Sequence, residues 1–550
     1  MKTRSQRGSD GIEKRCKSEE LEQRKAKRSR SSLQLSTAPG EPCDDPPTIL
    51  EFPMAAVDNA GIFVENETVI MYCREDVKAL FRSLHGVLHK SRPVFNKKVN
   101  PYQLPWIIGP SGVGKSLAVF AFTQSPQVSE WAVTWIHCLG GKWFSSYHRY
   151  QTEEETSTFQ LKQSVKHLAK LKVENQHIWV LDGFTDETSA TMLADCEDWL
   201  QADFEKRRLF VTCSIASRRK GTETHDLKLR VKEFSVCAWT LEEYKAAVGQ
   251  PQLYDAVKEK LGTDTDKSRD ELVESKHYFA GGSARYMFQV DTDEVKVALD
   301  NAIEKVSEVQ IFATGGIDLS STAFVHRLIF IQHGRRGVVS RYAGHRLAVK
   351  LGTRLVEQFL YGSEISRPMK GFLFEMWFIA KLSREGITYL PMNHRPQKAW
   401  AQSKAVYMPS EEEKLFPKSR TWFQAGWNNG GFDAVYVDPK KKTVRFVQIM
   451  LNNNHSFKIE FFQKFLNRLE KYMHTKTREI FFVYPVGASS KKLVTTGEGS
   501  LSLFQWKKGK EWNNVTKVML DWPGFHRLYS SATFLEGYRS SRVWLVTGNV

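Results

Sequence analysis

Long hydrophobic runs are absent from the sequence. No stretch approaches the ~18 consecutive apolar residues that a transmembrane helix needs, so we expect no membrane span. The first residues lead into further charge and no apolar stretch, so we expect no secretory signal. No internal repeat is visible either.

Cysteine is scarce and shows no short paired spacing of the kind that zinc sites use. The seven cysteines are odd in number and scattered along the chain, at Cys16, Cys43, Cys73, Cys138, Cys196, Cys213 and Cys237. This distribution favours free thiols in a reducing compartment.

Acidic residues are outnumbered by basic ones, 62 to 79, which leaves a formal net charge of +17. Such an excess favours contact with polyanions through their phosphates. A basic tail with no specific partner is the alternative, and composition does not separate the two. The 550 residues are 41% hydrophobic and 12% aromatic, enough to form cores in about three or four domains.

Residues 1–48 are polar, charged and nearly free of aromatic side chains. They cannot bury enough surface to fold alone, so we predict a disordered basic tail. Within it lies the basic cluster Arg24–Arg30. Such a cluster on an exposed tail is either a nuclear import signal or a solvated run of charge, and both interpretations remain open.

Residues 101–239 alternate short apolar runs with longer mixed segments that can hold helices. Five runs have the character of buried strands: Leu104–Ile108, Ala132–Cys138, His177–Leu181, Leu209–Ser214 and Phe234–Trp239. This alternation predicts an α/β fold, with a parallel sheet covered by helices on both faces. Residues 49–100 precede it as an N-terminal segment, and residues 240–300 are predicted to form a helical lid.

The strongest motif is Gly-x-x-x-x-Gly-Lys-Ser, from Gly109 to Ser116, between a predicted strand and a predicted helix. Gly109, Gly112 and Gly114 let backbone N–H groups turn inward around phosphates. The helix N-terminus adds the positive end of its dipole. Lys115 would reach the β- and γ-phosphates, and the Ser116 hydroxyl would bind Mg²⁺. The motif predicts a P-loop nucleotide-binding domain.

A second acidic group is needed to hold Mg²⁺ and its water shell. The apolar run His177–Leu181 ends in Asp182, which fits that role. Gly183 follows, where many hydrolysing relatives carry an acidic base. Either Asp186 or Glu187 substitutes for that base, or hydrolysis is slow and the nucleotide acts as a switch.

Further polar residues are candidates for contact with the γ-phosphate. Thr212 and Ser214 could orient the attacking water, although both could equally be ordinary residues at a strand end. Arg285 follows a glycine pair and could reach the γ-phosphate from the lid, with a structural salt bridge as the alternative. Arg218 and Arg219 are weaker candidates for the same role.

Residues 346–500 form a second predicted α/β block, joined to the lid by residues 301–345 and followed by a C-terminal segment, 501–550. Its candidate helices and strands are Leu373–Leu382, Phe432–Val437, Val444–Met450, Phe457–Tyr472 and Glu479–Tyr484.

Three oxygen-bearing side chains in this block suit a second Mg²⁺ site. Glu375 lies on an apolar helix, where a carboxylate is costly unless it is paired or binds metal. Asp433 and Gln448 lie on neighbouring strands and can point to one pocket. His455 and Lys458 follow. Each residue alone has an ordinary structural explanation, but together they favour metal-dependent phosphodiester hydrolysis.

These features resemble the Crinkler effectors and the retrotransposon hot spot proteins. The resemblance covers about residues 100–500 and is sharpest in four segments, Gly109–Ser116, His177–Asp182, Ala280–Tyr286 and Phe432–Lys458. It implies an NTPase coupled to a restriction-endonuclease-like domain of the Pro-Asp-(Asp/Glu)-x-Lys superfamily.

The resemblance also implies roles for single residues in the second block. Glu375, Asp433 and Gln448 would be metal ligands, and Lys458 would be the displaced catalytic lysine. Met450 occupies the family's threonine position, so activity depends on Lys458. The resemblance leads us to expect a ubiquitin-like header with a Leu-Phe-Leu-Ala-Lys signature, as in full Crinklers, and residues 1–48 do not contain that signature.

The leading hypothesis is a nuclear, nucleotide-regulated nuclease that acts on nucleic acid, with DNA favoured over RNA. A host nucleus after secretion is the other location that the resemblance allows. ATP is favoured over GTP, because the predicted lid and strand order are similar to those of ATPases of the additional-strand class. The alternative is a signalling or chromatin-associated NTPase whose second domain binds nucleic acid or a nuclear protein without cutting it.

Overall fold

The computed structural model describes residues 45–62, 67–89, 102–140, 143–150, 153–160, 176–214, 223–262, 264–305, 328–332, 335–362, 367–392, 396–408, 417–425, 431–450, 456–486, 494–496 and 515–522. The basic cluster Arg24–Arg30 therefore lies outside the described residues. No helix in the described ranges is long and apolar enough to cross a membrane.

The N-terminal segment forms a hairpin and a helix that pack into the core of the first domain. Its elements are β1 (Ile49–Pro53), α1 (Met54–Asn59), β2 (Thr68–Tyr72) and α2 (Glu75–His89). Strands β1 and β2 pair antiparallel. The buried residues of α2 recur every three or four positions, which gives the helix one apolar face. On that face Phe81 meets Phe122 edge-to-face, with ring centroids 5.4 Å apart.

The first domain is built on a seven-stranded sheet. The strands are β3 (Leu104–Gly109), β4 (Ala132–Gly140), β5 (Trp143–Tyr150), β6 (Glu153–Gln160), β7 (His177–Phe184), β8 (Arg207–Ser214) and β9 (Val231–Ser235). Their order is β6-β5-β4-β7-β8-β3-β9. Strands β4, β7, β8, β3 and β9 run parallel. Helices accompany this sheet at α3 (Lys115–Thr123), α4 (Asp186–Ala202) and α5 (Glu223–Leu229). The predicted α/β class with a parallel P-loop sheet is confirmed.

Two details of this sheet differ from the sequence-based prediction. Strands β5 and β6 form an antiparallel hairpin on the edge of the sheet, in a segment that was expected to hold helices. Opposite charges face each other across this hairpin, as in the pair Arg149 and Glu154. The strand predicted over Phe234–Trp239 instead spans Val231–Ser235, because the chain beyond Ser235 turns toward the phosphate loop.

The lid is helical, as predicted. It comprises α6 (Leu241–Val248), α7 (Pro251–Leu261), α8 (Arg269–Ala280), α9 (Ala284–Phe288) and α10 (Thr292–Glu304). Capping boxes begin two of these helices, with Thr240 and Glu243 before α6 and Ser268 and Glu271 before α8. Buried Lys276 of α8 links neighbouring parts of the lid. Its ammonium donates to the Lys260 carbonyl of α7 and to the Val290 carbonyl before α10, the latter at 2.5 Å.

A hairpin and three helices lead into the second domain. They are β10 (Ile329–Gln332), β11 (Arg335–Val338), α11 (Arg341–Leu351), α12 (Thr353–Gly362) and α13 (Arg367–Arg384). Helix α13 contains the predicted helix Leu373–Leu382. It is buried along most of its length, and its Phe374 stacks on Trp522 with ring centroids 4.7 Å apart.

The second domain contains an eight-stranded mixed sheet. Its elements in chain order are β12 (Ile387–Pro391), β13 (Lys398–Trp400), β14 (Lys404–Tyr407), β15 (Thr421–Gln424), β16 (Ala434–Asp438), β17 (Thr443–Ile449), β18 (Ser456–Lys458), α14 (Ile459–Glu470), β19 (Thr477–Pro485), β20 (Val494–Thr496) and β21 (Val515–Leu520). The sheet order is β13-β12-β21-β19-β17-β16-β15-β14, while β18 and β20 pair separately.

Strand β21 extends this sheet past the predicted boundary at residue 500. It pairs parallel with β19 and antiparallel with β12, so the sheet would be split without it. The lid and the second domain also share one apolar core, in which Phe279 of α8 and Tyr342 of α11 lie 5.3 Å apart between ring centroids. The described residues from Pro46 onward form one compact unit.

Candidate nucleotide-binding site

The phosphate loop connects the end of β3 to the start of α3. Gly112 and Gly114 have φ of 76° and 96°, values that L side chains rarely adopt. A Cβ at Gly109 would lie 2.2 Å from the Val236 carbonyl oxygen, so that position also requires glycine. The loop turns around the N-terminus of a nine-residue helix that begins at Lys115. This is the arrangement by which proteins hold phosphate.

The lid and the segment before it contact the phosphate loop directly. The Arg285 backbone N–H donates to the Gly112 carbonyl at 3.0 Å. A Cβ at Gly112 would lie 2.4 Å from Ser283 Oγ, so the contact leaves no room for a side chain. The Trp239 indole N–H donates to the Val113 carbonyl at 3.1 Å. The loop is therefore held from the lid side as well as by its own sheet.

Lys115 lies over the carbonyl groups of its own loop. Its Nζ donates to the Gly109 carbonyl at 3.1 Å and to the Pro110 carbonyl at 2.6 Å. Burial lowers the pKa of Lys115 to about 8. A phosphate at the loop would oppose that effect, because an adjacent negative charge favours the ammonium form.

Asp182, at the end of β7, is the hydrogen-bonding centre of the site. Ser116 Oγ donates to its Oδ1 at 2.7 Å, and Thr212 donates to the same oxygen. His137 Nδ1 lies 2.9 Å from Oδ2. Burial acts to raise the pKa of Asp182, but the hydrogen bonds from His137, Thr212 and Ser116 outweigh it and hold the pKa below its ordinary value. The carboxylate is therefore ionised at neutral pH.

The residues at the end of the phosphate loop fit Mg²⁺. The ion prefers oxygen ligands, and in P-loop proteins it is held by the loop hydroxyl and a strand-end carboxylate. Ser116 Oγ and Asp182 Oδ1 supply these two groups and face each other.

The structure describes only some of the other residues that were predicted to contact the γ-phosphate. Arg285, Thr212 and Ser214 line the same cavity as Lys115 and Ser116. Thr212 uses its hydroxyl to bind Asp182 and to accept from the backbone N–H of Gly183 at 3.3 Å. The remaining candidates lie outside the described residues, namely the side chains of Asp186 and Glu187 and all of Arg218 and Arg219.

A cavity of about 440 Å³ extends from the phosphate loop between the N-terminal hairpin and the lid. Its apolar part is lined by Val69 and Met71 of β2 and by Leu253 and Val257 of α7. Such a cavity suits a ligand with an anionic end and a flat apolar end. The sequence-based prediction missed this apolar part. The apolar run of β2, Thr68–Tyr72, was the available signal in the sequence.

The second predicted constellation lies where α11, α13, β16 and β17 meet. The Glu375 carboxylate accepts a hydrogen bond from the Arg341 guanidinium and lies 3.7 Å from His345 Nε2. Asp433 Oδ2 accepts from the backbone N–H of Ile449 at 2.6 Å. Arg341, at the start of α11, was not among the predicted residues, because no local spacing marks it.

The structure brings Glu375 and Asp433 together but not Gln448. On β17, Val447 and Ile449 pack in the core that contains α13, while Phe446 and Met450 pack in the other core of the domain, and Gln448 lies on the same face of the strand as the latter pair. Burial and the nearby Glu375 carboxylate together raise the pKa of Asp433 to about 7. Gln448 Oε1 is buried without a hydrogen-bond partner among the described residues. A cation beside Asp433 would favour its ionised form. The described part of the chain holds no group of three or more His, Cys, Asp or Glu side chains placed for a metal, so such an ion would rest on the two carboxylates Glu375 and Asp433.

The rest of the family-like pattern is only partly described. Met450 is buried in the second domain's core, and its backbone N–H donates to the Val483 carbonyl at 2.8 Å. The backbone of Lys458 ends β18, but its side chain lies outside the description, as does His455 entirely. The role of Lys458 stays a prediction.

Comparisons with known proteins return similar folds at low identity. No protein-family model matches the chain, and a search of curated proteins finds no match. Among solved structures, the chain is similar to the S. cerevisiae Hsp104–ADP complex, with 12% identity and a TM-score of 0.27 over 60% of this chain and 43% of that one. It thus spans less than half of Hsp104.

Two further similar structures are smaller proteins. The Thermotoga maritima RuvB Holliday junction branch migration motor aligns at 11% identity and a TM-score of 0.26, over 50% of this chain and 94% of that one. C. elegans PCH-2 aligns at 11% identity and a TM-score of 0.23, over 47% and 69%. The strand order and the phosphate loop identify the first domain as a P-loop fold.

Proposed function

We propose that this chain is a Mg²⁺-dependent nucleotide-binding NTPase, with ATP as its nucleotide and GTP as the alternative. The observation that carries this proposal is the convergence of Lys115, Ser116, Asp182 and Arg285 on one cavity. Lysine and arginine would neutralise phosphate charge, and the loop amides would bind phosphate oxygens. Mg²⁺ held by Ser116 and Asp182 would neutralise charge between the β- and γ-phosphates.

Replacement of Lys115 by alanine tests nucleotide binding. Within the described residues the hydrogen bonds of its ammonium go to carbonyls of its own loop, so Lys115→Ala should fold normally. We expect isothermal titration with Mg-ATP to show binding by the unmodified chain and a loss of at least 100-fold in affinity for the variant, roughly the 3 kcal/mol of a charge-assisted contact. Lys228→Ala, at an exposed lysine of α5, is the control and should bind normally. Equal affinity in all three proteins would exclude the phosphate-loop assignment.

For the second domain we propose a metal-dependent phosphodiesterase that acts on DNA. Support comes from the Glu375 and Asp433 carboxylates, which lie close enough to influence each other beside the mixed sheet, and from buried Gln448 on neighbouring β17. The raised pKa of Asp433 fits a divalent cation. A metal there would supply an activated water and neutralise the scissile phosphate. The net charge of +17 suits a polyanionic substrate.

Cleavage and binding measured on the same preparations test this second proposal. With Mg²⁺ or Mn²⁺ the full chain should cut DNA, and Asp433→Ala should lower the rate by several orders of magnitude, since each ~1.4 kcal/mol of barrier is a factor of ten. DNA affinity should persist, because it comes mainly from basic side chains. The control Glu385→Ala removes an exposed carboxylate from the end of α13 and should cut normally.

A non-cutting second domain is the alternative function, and two observations favour it. Arg341 already pairs with Glu375, and buried Met450 leaves the family's polar position apolar. DNA binding without cleavage by the unmodified chain, with both metals and with ATP present, would select this alternative. Nuclear action remains a proposal that rests on Arg24–Arg30. Cytoplasmic fluorescence of a reporter fused to residues 1–48 would remove it.

A further inference from the structure

His137 lies beside the phosphate loop and had no role in the sequence-based prediction. It is on β4, and the register of the sheet pairs it with Asp182 on β7. Its Nδ1 lies 2.9 Å from Asp182 Oδ2, and the ring lines the same cavity as Lys115 and Ser116. The imidazole therefore faces the place where the γ-phosphate of a bound nucleotide would lie.

The ring of His137 is held in one orientation from two sides. Asp182 binds one nitrogen, and Gly61 packs so closely that a Cβ there would lie 2.8 Å from His137 Cδ2. In the neutral tautomer that donates its Nδ1 proton to the carboxylate, Nε2 carries the lone pair and is a hydrogen-bond acceptor. No described residue is bonded to Nε2, and the side chain is 23% exposed, on the cavity side.

Gly183 has no side chain that could orient water, so another residue must do so. It follows Asp182, where an acidic side chain would otherwise orient water, and its φ is 72°. A Cβ at Gly183 would lie 3.7 Å from His137 Cε1, in ordinary van der Waals contact. The imidazole is therefore a direct neighbour of position 183, on the side of the cavity where an acidic side chain would be needed.

We propose that His137 positions the attacking water for nucleotide hydrolysis, through its free Nε2. This inference rests on the proposed NTPase function. Water donates one hydrogen bond to Nε2, which turns an oxygen lone pair toward the γ-phosphorus. The new P–O bond forms as the bond to the β–γ bridging oxygen breaks. The electron pair leaves on the nucleoside diphosphate, and a water proton passes to the released phosphate as H₂PO₄⁻.

Two conservative variants separate water positioning from mere support of Asp182. His137→Asn places an amide where Nδ1 lies, so it can keep the bond to Asp182 while it removes the distal acceptor. His137→Gln places its amide near Nε2, so it can restore that acceptor. We expect kcat to fall roughly 100-fold in His137→Ala and His137→Asn, and to recover in part in His137→Gln. KM should change little in all three. His474→Ala, at an exposed histidine of the second domain, is the control.

A binding measurement provides a second readout that does not depend on turnover. By titration calorimetry, Mg-ADP should bind the unmodified chain and His137→Asn equally. Mg-ADP with fluoroaluminate, which mimics the transferring phosphate, should bind the variant roughly 100-fold more weakly. An equal loss for both ligands would reduce His137 to a structural support and overturn the inference.

Other results would separate a failure of the proposed role of His137 from a failure of the proposed NTPase function. If the unmodified chain binds no Mg-ATP, the proposed function itself fails. If it binds Mg-ATP without hydrolysing it, or if His137→Asn hydrolyses at the unmodified rate, the inference fails while nucleotide binding stands. If Glu187→Gln or Asp186→Asn abolished hydrolysis while His137→Ala hydrolysed normally, a residue of α4 would position the attacking water instead.

Discussion

His177, the first residue of β7, is a buried histidine that should make the fold sensitive to acid. Its Nε2 lies 2.8 Å from the Thr134 hydroxyl. Burial, with help from His148 and Arg207, lowers the pKa of His177 to about 3, well under its ordinary 6.5. The unfolded chain therefore binds a proton that the folded chain does not, and stability present above pH 6.5 is lost as the pH falls toward 3.

We expect this residue to cost about 1.4 kcal/mol of unfolding free energy for each pH unit below 6.5. Urea unfolding at pH 7.5, 6.5 and 5.5 should show a smaller loss in His177→Asn than in the unmodified chain. His474→Ala, which removes an exposed histidine, should keep the full slope. Identical slopes in His177→Asn and the unmodified chain would show that the ring titrates normally in the folded state.

Among single residues, the sequence predicted those whose roles are set by local spacing. Gly112, Lys115 and Ser116 belong to one continuous loop, so their chemistry can be inferred without knowing the sheet. His137 could not be predicted in the same way. It meets Asp182 only because β4 pairs with β7 in a particular register across 45 residues of sequence.

Among the elements, the lid packs closely against the segment that precedes α11. Gly281 ends α8 with φ of 53°, and a Cβ there would lie 1.8 Å from the Val339 carbonyl oxygen. The backbone N–H of the next residue, Gly282, donates to the same carbonyl at 3.3 Å. Nearby, the Tyr278 hydroxyl and His345 Nδ1 are 3.2 Å apart. The glycine pair thus joins the lid to the helix that carries Arg341.

Gly281→Ala should strain this joint, because neither its φ nor the space around it accepts a methyl group. We expect a loss of roughly 1–3 kcal/mol in stability, measured by urea unfolding. Gly86→Ala, in the open last turn of α2, is the matched control and should gain up to about 1 kcal/mol. A Gly281→Ala protein as stable as the unmodified chain would contradict the close packing.

The strands that were predicted and those that were missed differ in their sequences. The core strands β3, β7 and β8 are short apolar runs, and such runs indicate buried parallel strands without further information. Strand β6 begins with three glutamates and is exposed along most of its length, so only its pairing with β5 makes it a strand. Strand β21 lies beyond the predicted boundary at residue 500, and its place between β12 and β19 is set by tertiary pairing.

On the scale of the whole molecule, the two candidate sites are connected through few residues. Arg285 contacts the phosphate loop, the glycine pair before it contacts the segment before α11, and Arg341 of α11 contacts Glu375. The lid and the second domain share one apolar core. This arrangement could not be predicted from the sequence, because the contacts join parts of the chain that were expected to be separated by a linker.

The proposed function requires one nucleotide to bind between the phosphate loop, β2 and α7. Hydrogen–deuterium exchange on the full chain, with and without Mg-ATP, tests this position. With Mg-ATP we predict slower amide exchange at Gly109–Ser116, together with slower exchange in Thr68–Tyr72 and Pro251–Leu261. In Lys115→Ala, Mg-ATP should slow exchange in none of these segments. Protection confined to other segments, or unchanged exchange at Gly109–Ser116 with saturating Mg-ATP, would contradict the account.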